Sequence, residues 1–330
     1  MTYTKSTVLP VSPEDAFALL TEPERLRRWQ TVSARVDLRA GGEYRWTVTP
    51  GHVAAGTFRE VEPGRRVVFG WGWEGNTDLL PDASTVTLTV EPTDGGTRVT
   101  LEHAGLTEEQ ALSHAEGWSH YFERLEDVAA SGDAGPDTWS AVPAQIDELS
   151  SAEATLAVLQ GVLRNLAVDD QHKQTPCAEF TCHDLAEHLF ASITGLGSMA
   201  GTTVTNPGTG SLEHRVATMA AEALEGWRAR GLDGMVPAPG GGEMPAAMGA
   251  GVFSLEFLLH AWDFAQASGQ DVTVSDEVVE YVQSVAEKLV PAARERGAFA
   301  EEKTPAADAR PLERVAAYAG RTPLVGRMTA

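Results

Sequence analysis

The chain has 330 residues, too many for one ordinary core and enough for two domains that each bury a substantial interior. Its 47 acidic against 25 basic side chains leave a formal net charge of -22, which argues against nucleic acid and anionic membrane surfaces as partners, because both reward clustered Lys and Arg. The opening MTYTKSTVLPVS lacks the apolar run of a signal peptide, and no later apolar stretch reaches the roughly 20 residues of a membrane span, so a cytoplasmic protein with no membrane contact is expected.

A short polar-apolar alternation from Thr4 to Leu9 predicts a strand. It gives way to a helix start at Ser12-Pro13-Glu14-Asp15, with Ser12 as N-cap and Pro13 at the first helical position. From Ser33 onward the pattern has period two, and Gly41-Gly42, Pro63-Gly64 and Asp94-Gly95-Gly96 stand where hairpin turns belong. An antiparallel meander follows from that. After it, Trp118, Tyr121, Phe122, Leu125 and Val128 recur at helical spacing, predicting one long amphipathic helix from Glu108 to about Val128. Alternation along one strand puts Phe69, Trp71 and Trp73 on a single face. With Trp118 they either fill the core or line a space between sheet and helix. His52, His103, His114 and His120 show no metal spacing and read as surface or helix-face residues.

The phrases GTFREVEPGRRVVFGWGW and EGWSHYFERLEDVAAS resemble a strand pair and the terminal helix of the SRPBCC superfamily, in its branch similar to the C-terminal domain of the activator of Hsp90 ATPase. The resemblance implies an α+β helix-grip domain over residues 1–131 whose sheet and long C-terminal helix enclose an apolar ligand cavity. It implies no chaperone partner.

Small and polar residues with prolines and glycines make 132–145 an expected exposed linker. Beyond it, Ile146 to Leu166 is spaced for a helix and no hairpin signal appears, so 146–330 reads as helical. Cys177 and Cys182 are too few for a disulfide framework or a zinc ribbon and read as reduced thiols. Cys177 has no basic neighbour in sequence and reads as inert. Thr181 caps a helix with Asp184 in the box position; Leu185, Leu189 and Ile193 form its buried ridge, and His188 lies beside that ridge. The run Pro237 to Met244, with three glycines, lacks the features of a P-loop and reads as a surface loop or a lid.

The segment GVFSLEFLLHAWDFAQASG, Gly251 to Gly269, is apolar around most of its circumference. Its exceptions Glu256, His260 and Asp263 fall within an arc of roughly 60° at about 100° per residue. An ionised glutamate there loses several kcal/mol of solvation unless it is paired or coordinates a metal. A Glu256–His260 ion pair or a solvent-facing stripe answers this, and so does a divalent metal, most simply zinc, bound by His188, Glu256 and His260 with a fourth position open. Nickel, iron or manganese suits the same donors. Asp263 then orients an imidazole from behind.

TPCAEFTCHDLAEHL, GEMPAAMGAGVFSLEFLLHAWDFAQASGQ and PLERVAAYAGRTP together are similar to the DinB-like four-helix bundles of the mycothiol-dependent maleylpyruvate isomerase family. The resemblance implies an all-α metal-binding bundle over residues 146–330 with His188, Glu256 and His260 as ligands. It also implies a low-molecular-weight thiol such as mycothiol as co-substrate, and isomerisation by addition, rotation and elimination. The family's isomerases carry a further domain that supplies a substrate-binding arginine, and no segment after the expected bundle is suited to replace it, so a substrate other than maleylpyruvate is expected. Arg321 sits in the closing phrase with no physical argument to place it. Three functions follow as expectations: a metal-dependent thiol transferase or isomerase acting on a small electrophile, a non-catalytic small-molecule binder with a structural or regulatory metal, or, with least support, an Hsp90-activator-like interaction protein.

Overall fold

A computed structural model describes residues 1–324; the end of the expected second domain, 325–330, lies outside the described residues. The chain divides into two compact units, Met1–Asp137 and a second beginning at Thr138.

In the first unit β1 (Thr2–Leu9), α1 (Pro13–Thr21) and α2 (Pro23–Leu26) precede β2 (Ser33–Val36), β3 (Glu43–Thr49), β4 (His52–Glu62), β5 (Arg66–Trp71), β6 (Ser84–Thr93), β7 (Gly96–Ala104) and the long α3 (Glu108–Ser131). The seven strands form one antiparallel sheet in the order β1-β7-β6-β5-β4-β3-β2. β1 closes it by pairing with β7 from Thr2 opposite Ala104 to Leu9 opposite Thr97. The helix starts follow their caps: Ser12 Oγ accepts from the Asp15 N–H, and Thr107 with Gln110 forms a reciprocal capping box on α3. Gly96 is required where β7 begins, since a Cβ there would lie 2.1 Å from the Leu9 carbonyl oxygen. Trp46, Phe58, Phe69, Trp71 and Leu101 of the sheet form one core with Trp118, Phe122 and Leu125 of α3. This is a helix-grip arrangement.

The expected linker begins differently. Arg124 of α3 donates to the carbonyls of Gly135 and Pro136, and His120 contacts Asp137 at 2.8 Å, so residues 135–137 are held on the first unit by donors that the linker composition does not show.

Among the described residues the second unit is mainly helical, with one short hairpin. Its helices are α4 (Glu148–Arg164), α5 (Cys182–Met199), α6 (Leu212–Arg230), α7 (Ala246–Ser268), α8 (Asp276–Glu295) and α9 (Pro311–Tyr318), with β8 (Met235–Pro237) and β9 (Glu243–Pro245) between α6 and α7. The hairpin corrects the expectation that none occurs here and turns the glycine-rich run into its tip. α4 packs on α6 and α7, α5 packs on the same two, and α8 and α9 cover α7. α7 is therefore enclosed, as its apolar circumference requires. Close approach sets its first turns: a Cβ on Gly249 would meet Met199, Trp227 and Val236 at 3.0 to 3.2 Å.

Candidate metal centre

α5 is held in rotation by Leu185, Leu189 and Ile193, all fully buried, and its start by the box of Thr181 and Asp184. That rotation turns His188 toward α7, where Phe180 stacks on its ring at 5.1 Å between centroids. From α7, Glu256 and His260 lie one turn apart. The three side chains converge, with one ligand atom from each within 4.8 Å of the others. Glu256 Oε2 is 3.5 Å from His188 Nε2 and 3.3 Å from His260 Nε2. The side chains of His188, Glu256 and His260 are 37, 17 and 3 % exposed, so the cluster opens to solvent on the His188 side and is sealed behind His260.

Behind His260 stands Asp263, whose Oδ2 lies 3.1 Å from the ring's Nδ1. An Nδ1–H donated to that carboxylate leaves the Nε2 lone pair facing the carboxylate of Glu256. Neither Glu256 Oε2 nor His260 Nε2 has a hydrogen-bond partner, although both are buried. Two electron-rich atoms at 3.3 Å require positive charge between them, either protons on the imidazoles or a cation. Without a metal, burial pushes the Glu256 carboxyl up, but His188 and His260 outweigh it and hold it well below the usual carboxylate range. For His260 burial works to lower the pKa, and the Asp263 and Glu256 carboxylates overcome it, raising it to about 9.

Asp263 is fully buried and is shared. Arg321 approaches its Oδ2 through Nε and Nη2, both at 3.4 Å. Arg321 is the residue that sequence reasoning left without a place; it stands 58 positions from Asp263, and no local pattern links the two. Cys177 feels the charges of Arg321, Asp263 and Glu256, so a basic neighbour does exist, yet burial dominates and pushes its thiol up to about 11. Both cysteines are free.

In the first unit Phe69, Trp71 and Trp118 are buried. Trp73 lies beyond the end of β5 and bridges to Ala54, so the expected triplet on one strand stops at Trp71. The Trp71 and Trp73 indoles both donate to His114 Nε2 at 3.3 Å, and His114 Nδ1 faces the Gln110 carbonyl at 2.8 Å. Trp118 donates to His103 Nδ1 at 3.1 Å, while His103 Nε2 meets Ser84 Oγ at 2.9 Å. His103 is fully buried, not a surface residue: β7 is an inner strand here, covered on both flanks by β1 and β6, and His103 occupies an inward position of it. Burial, with His114 beside it, lowers the His103 pKa to about 3. Burial also lowers that of His114, against the Gln110 carbonyl.

Among the described residues no helix is long and apolar enough to cross a membrane. The family described as Activator of Hsp90 ATPase homolog 1-like protein matches residues 10–130. An AHSA1-like protein from Rhizobium etli, solved by NMR, is 37% identical, covering 44% of this chain and 92% of that one, with a TM-score of 0.37. A crystal structure of a protein from Mesorhizobium loti is 24% identical over 40% of this chain and 99% of that one, at a TM-score of 0.36. An uncharacterized protein of Mycobacterium tuberculosis H37Rv is 28% identical over 191 residues, 54% of this chain and 99% of its own length. That span is too long to lie within the first unit and takes in part of the second. The N-terminal domain of this chain is thus an AHSA1-like domain of the SRPBCC type, followed by a helical domain that carries the His188, Glu256 and His260 cluster.

Proposed function

We propose that the helical domain is a DinB-like, divalent-metal-dependent thiol transferase or isomerase of the maleylpyruvate isomerase type, acting on a small electrophile with a low-molecular-weight thiol such as mycothiol. The observation that carries this reading is the convergence of His188, Glu256 and His260, with Glu256 Oε2 and His260 Nε2 buried 3.3 Å apart and neither in a hydrogen bond. Two imidazole nitrogens and one carboxylate oxygen suit zinc and leave one coordination position open. A metal bound there supplies Lewis acidity that favours the thiolate of a coordinated thiol at neutral pH.

The chain's own residues divide the remaining work. Glu256 and His260 bind from one helix, and His188, on the exposed side, stands where substrate and thiol enter. Asp263 holds His260 with Nε2 forward, fixing the tautomer that binding needs. Phe180, stacked on His188, limits the swing of that ring and adds an apolar wall at the entrance. The AHSA1-like domain holds an apolar substrate.

A conjugation assay over a panel of electrophiles tests this. The reading expects a thiol-dependent rate that is abolished by chelator and restored by zinc, and absent in His260→Ala. A rate indifferent to chelator contradicts it.

A second reading, non-catalytic ligand binding by the first domain, draws on Trp46 Nε1. It is buried without a hydrogen-bond partner against Phe69 and Trp71, a donor suited to a ligand oxygen. A melting-temperature shift of the full chain with small apolar carbonyl compounds that Trp46→Phe removes, together with no thiol-conjugation rate, is expected by the second reading alone.

A further inference from the structure

We propose that Arg321, acting through Asp263, sets the charge and geometry of this centre so that its open position takes an anionic ligand of the thiolate class in preference to a neutral one. The proposal rests on the metal-site reading above.

Arg321 is 7 % exposed. Its Nη1 donates to the Ala319 carbonyl at 3.0 Å, its guanidinium lies over the Phe299 ring at 5.5 Å, and Nε and Nη2 converge on Asp263 Oδ2. The same oxygen receives His260 Nδ1. One carboxylate oxygen is thus held from two directions, which fixes the imidazole it supports.

The charge consequence is separate from the positional one. Glu256 and Asp263 alone would neutralise a divalent ion. With Arg321 paired to Asp263, the loaded centre keeps one positive charge in surroundings where charge is weakly screened. A thiolate in the open position cancels it, whereas a neutral ligand leaves it standing. Arg321 is therefore a positioning residue that also tunes ligand choice, and it touches neither metal nor substrate.

The segment bearing Arg321 has a second anchor that supplies a control. Arg294 donates to the Ala300 and Tyr318 carbonyls and lies over the Tyr318 ring at 5.6 Å, holding the same end of the chain without touching Asp263.

The test uses the full chain loaded with cobalt(II) and titrated separately with 2-mercaptoethanol and imidazole, read by visible and near-ultraviolet absorption. Arg321→Met is expected to weaken thiol binding by about 10-fold or more and to leave imidazole binding unchanged. Arg321→Lys is expected to recover most of the loss. Arg294→Met should bind both ligands like the parent. If Arg321→Met does not fold, Arg321→Gln, which removes charge and keeps a hydrogen-bonding amide, is expected to show the same selective loss. Equal losses for both ligands, an equal loss in Arg294→Met, or unchanged thiol binding in the Arg321 variants overturns the proposal. So does a sulfur-to-cobalt band that is present before thiol is added and disappears in Cys177→Ser, because the open position would then be filled from within. Failure of the parent protein to retain cobalt is a distinct result, which overturns the metal reading and this proposal with it.

Discussion

Each of the two units contains a pair of histidines in almost the same mutual pose. The rings of His103 and His114 lie 4.9 Å apart at 87°, and those of His188 and His260 lie 5.2 Å apart at 87°. Their surroundings are opposite. In the first pair every ring nitrogen has a neutral partner, either an indole N–H, a serine hydroxyl or a backbone carbonyl, and burial drives both rings toward the uncharged form. In the second pair carboxylates stand on both sides of His260 and one buried nitrogen has no hydrogen-bond partner. Ring geometry alone therefore says little about what a histidine pair does. Whether its nitrogens are satisfied, and by what charge, separates a packed polar core from a candidate cation site.

The comparison is broken most sharply by metal. A ligand that binds only the folded chain stabilises it by about 2.7 kcal/mol at 100 times its Kd, so zinc should raise the melting temperature and chelator should lower it. Glu256→Ala should erase that response, and His103→Gln should preserve it. An equal zinc response in Glu256→Ala would place the binding elsewhere.

Acid and base sharpen it next, because His103 and His260 are shifted in opposite directions. His103 has a folded pKa of about 3 against about 6.5 unfolded. Between those values the unfolded chain binds the proton that the folded chain refuses, so stability is full above pH 6.5 and falls as pH drops. The loss is about 2 to 3 kcal/mol by pH 4.5. Urea melts at pH 7 and 4.5 should show a smaller acid loss in His103→Gln than in the parent. His260, raised to about 9, behaves oppositely in chelator-treated protein. Its contribution is complete below pH 6.5 and is lost as pH rises through 9. Since a metal must displace the same proton, apparent zinc affinity should climb over that interval.

A smaller effect is expected at Asp263, which stands behind His260. Asp263→Asn removes the charged acceptor of the His260 Nδ1–H and should weaken zinc binding by about 10-fold, as measured by competition with a chromophoric chelator, without altering the thermal response of the first domain.

The smallest effects distinguish the two histidines of the first pair. Trp118→Phe removes the indole donor to His103 Nδ1 and leaves a buried acceptor unmet, at about 1 to 2 kcal/mol. Trp73→Phe should cost less, since His114 Nε2 still receives Trp71. Equal losses in denaturant melts would show that ring volume, not the hydrogen bond, is what matters.

Much of this architecture is legible in the chain because its signals are local. Ser12 and Thr181 stand at helix starts, and the glycine and proline turns separate alternating runs. The polar stripe of α7 is likewise a matter of counting by helical turns, which is why Glu256, His260 and Asp263 can be singled out before any fold is known. The rest depends on contacts that spacing does not encode. His103 becomes a core residue because β1 arrives from the far end of the domain to cover β7. Arg321 reaches Asp263 only because α9 returns the chain across α7. The linker composition of residues 132–145 hides the fact that Arg124 captures part of it.

The central proposal is that His188, Glu256 and His260 bind a divalent cation, and metal analysis of the protein purified without added chelator addresses it most directly, with His188→Ala and His260→Ala alongside. The account predicts one divalent ion per chain in the parent and a substoichiometric amount in both variants, with each variant still folded by circular dichroism. Full occupancy in either variant, or none in the parent after incubation with zinc and gel filtration, would contradict it.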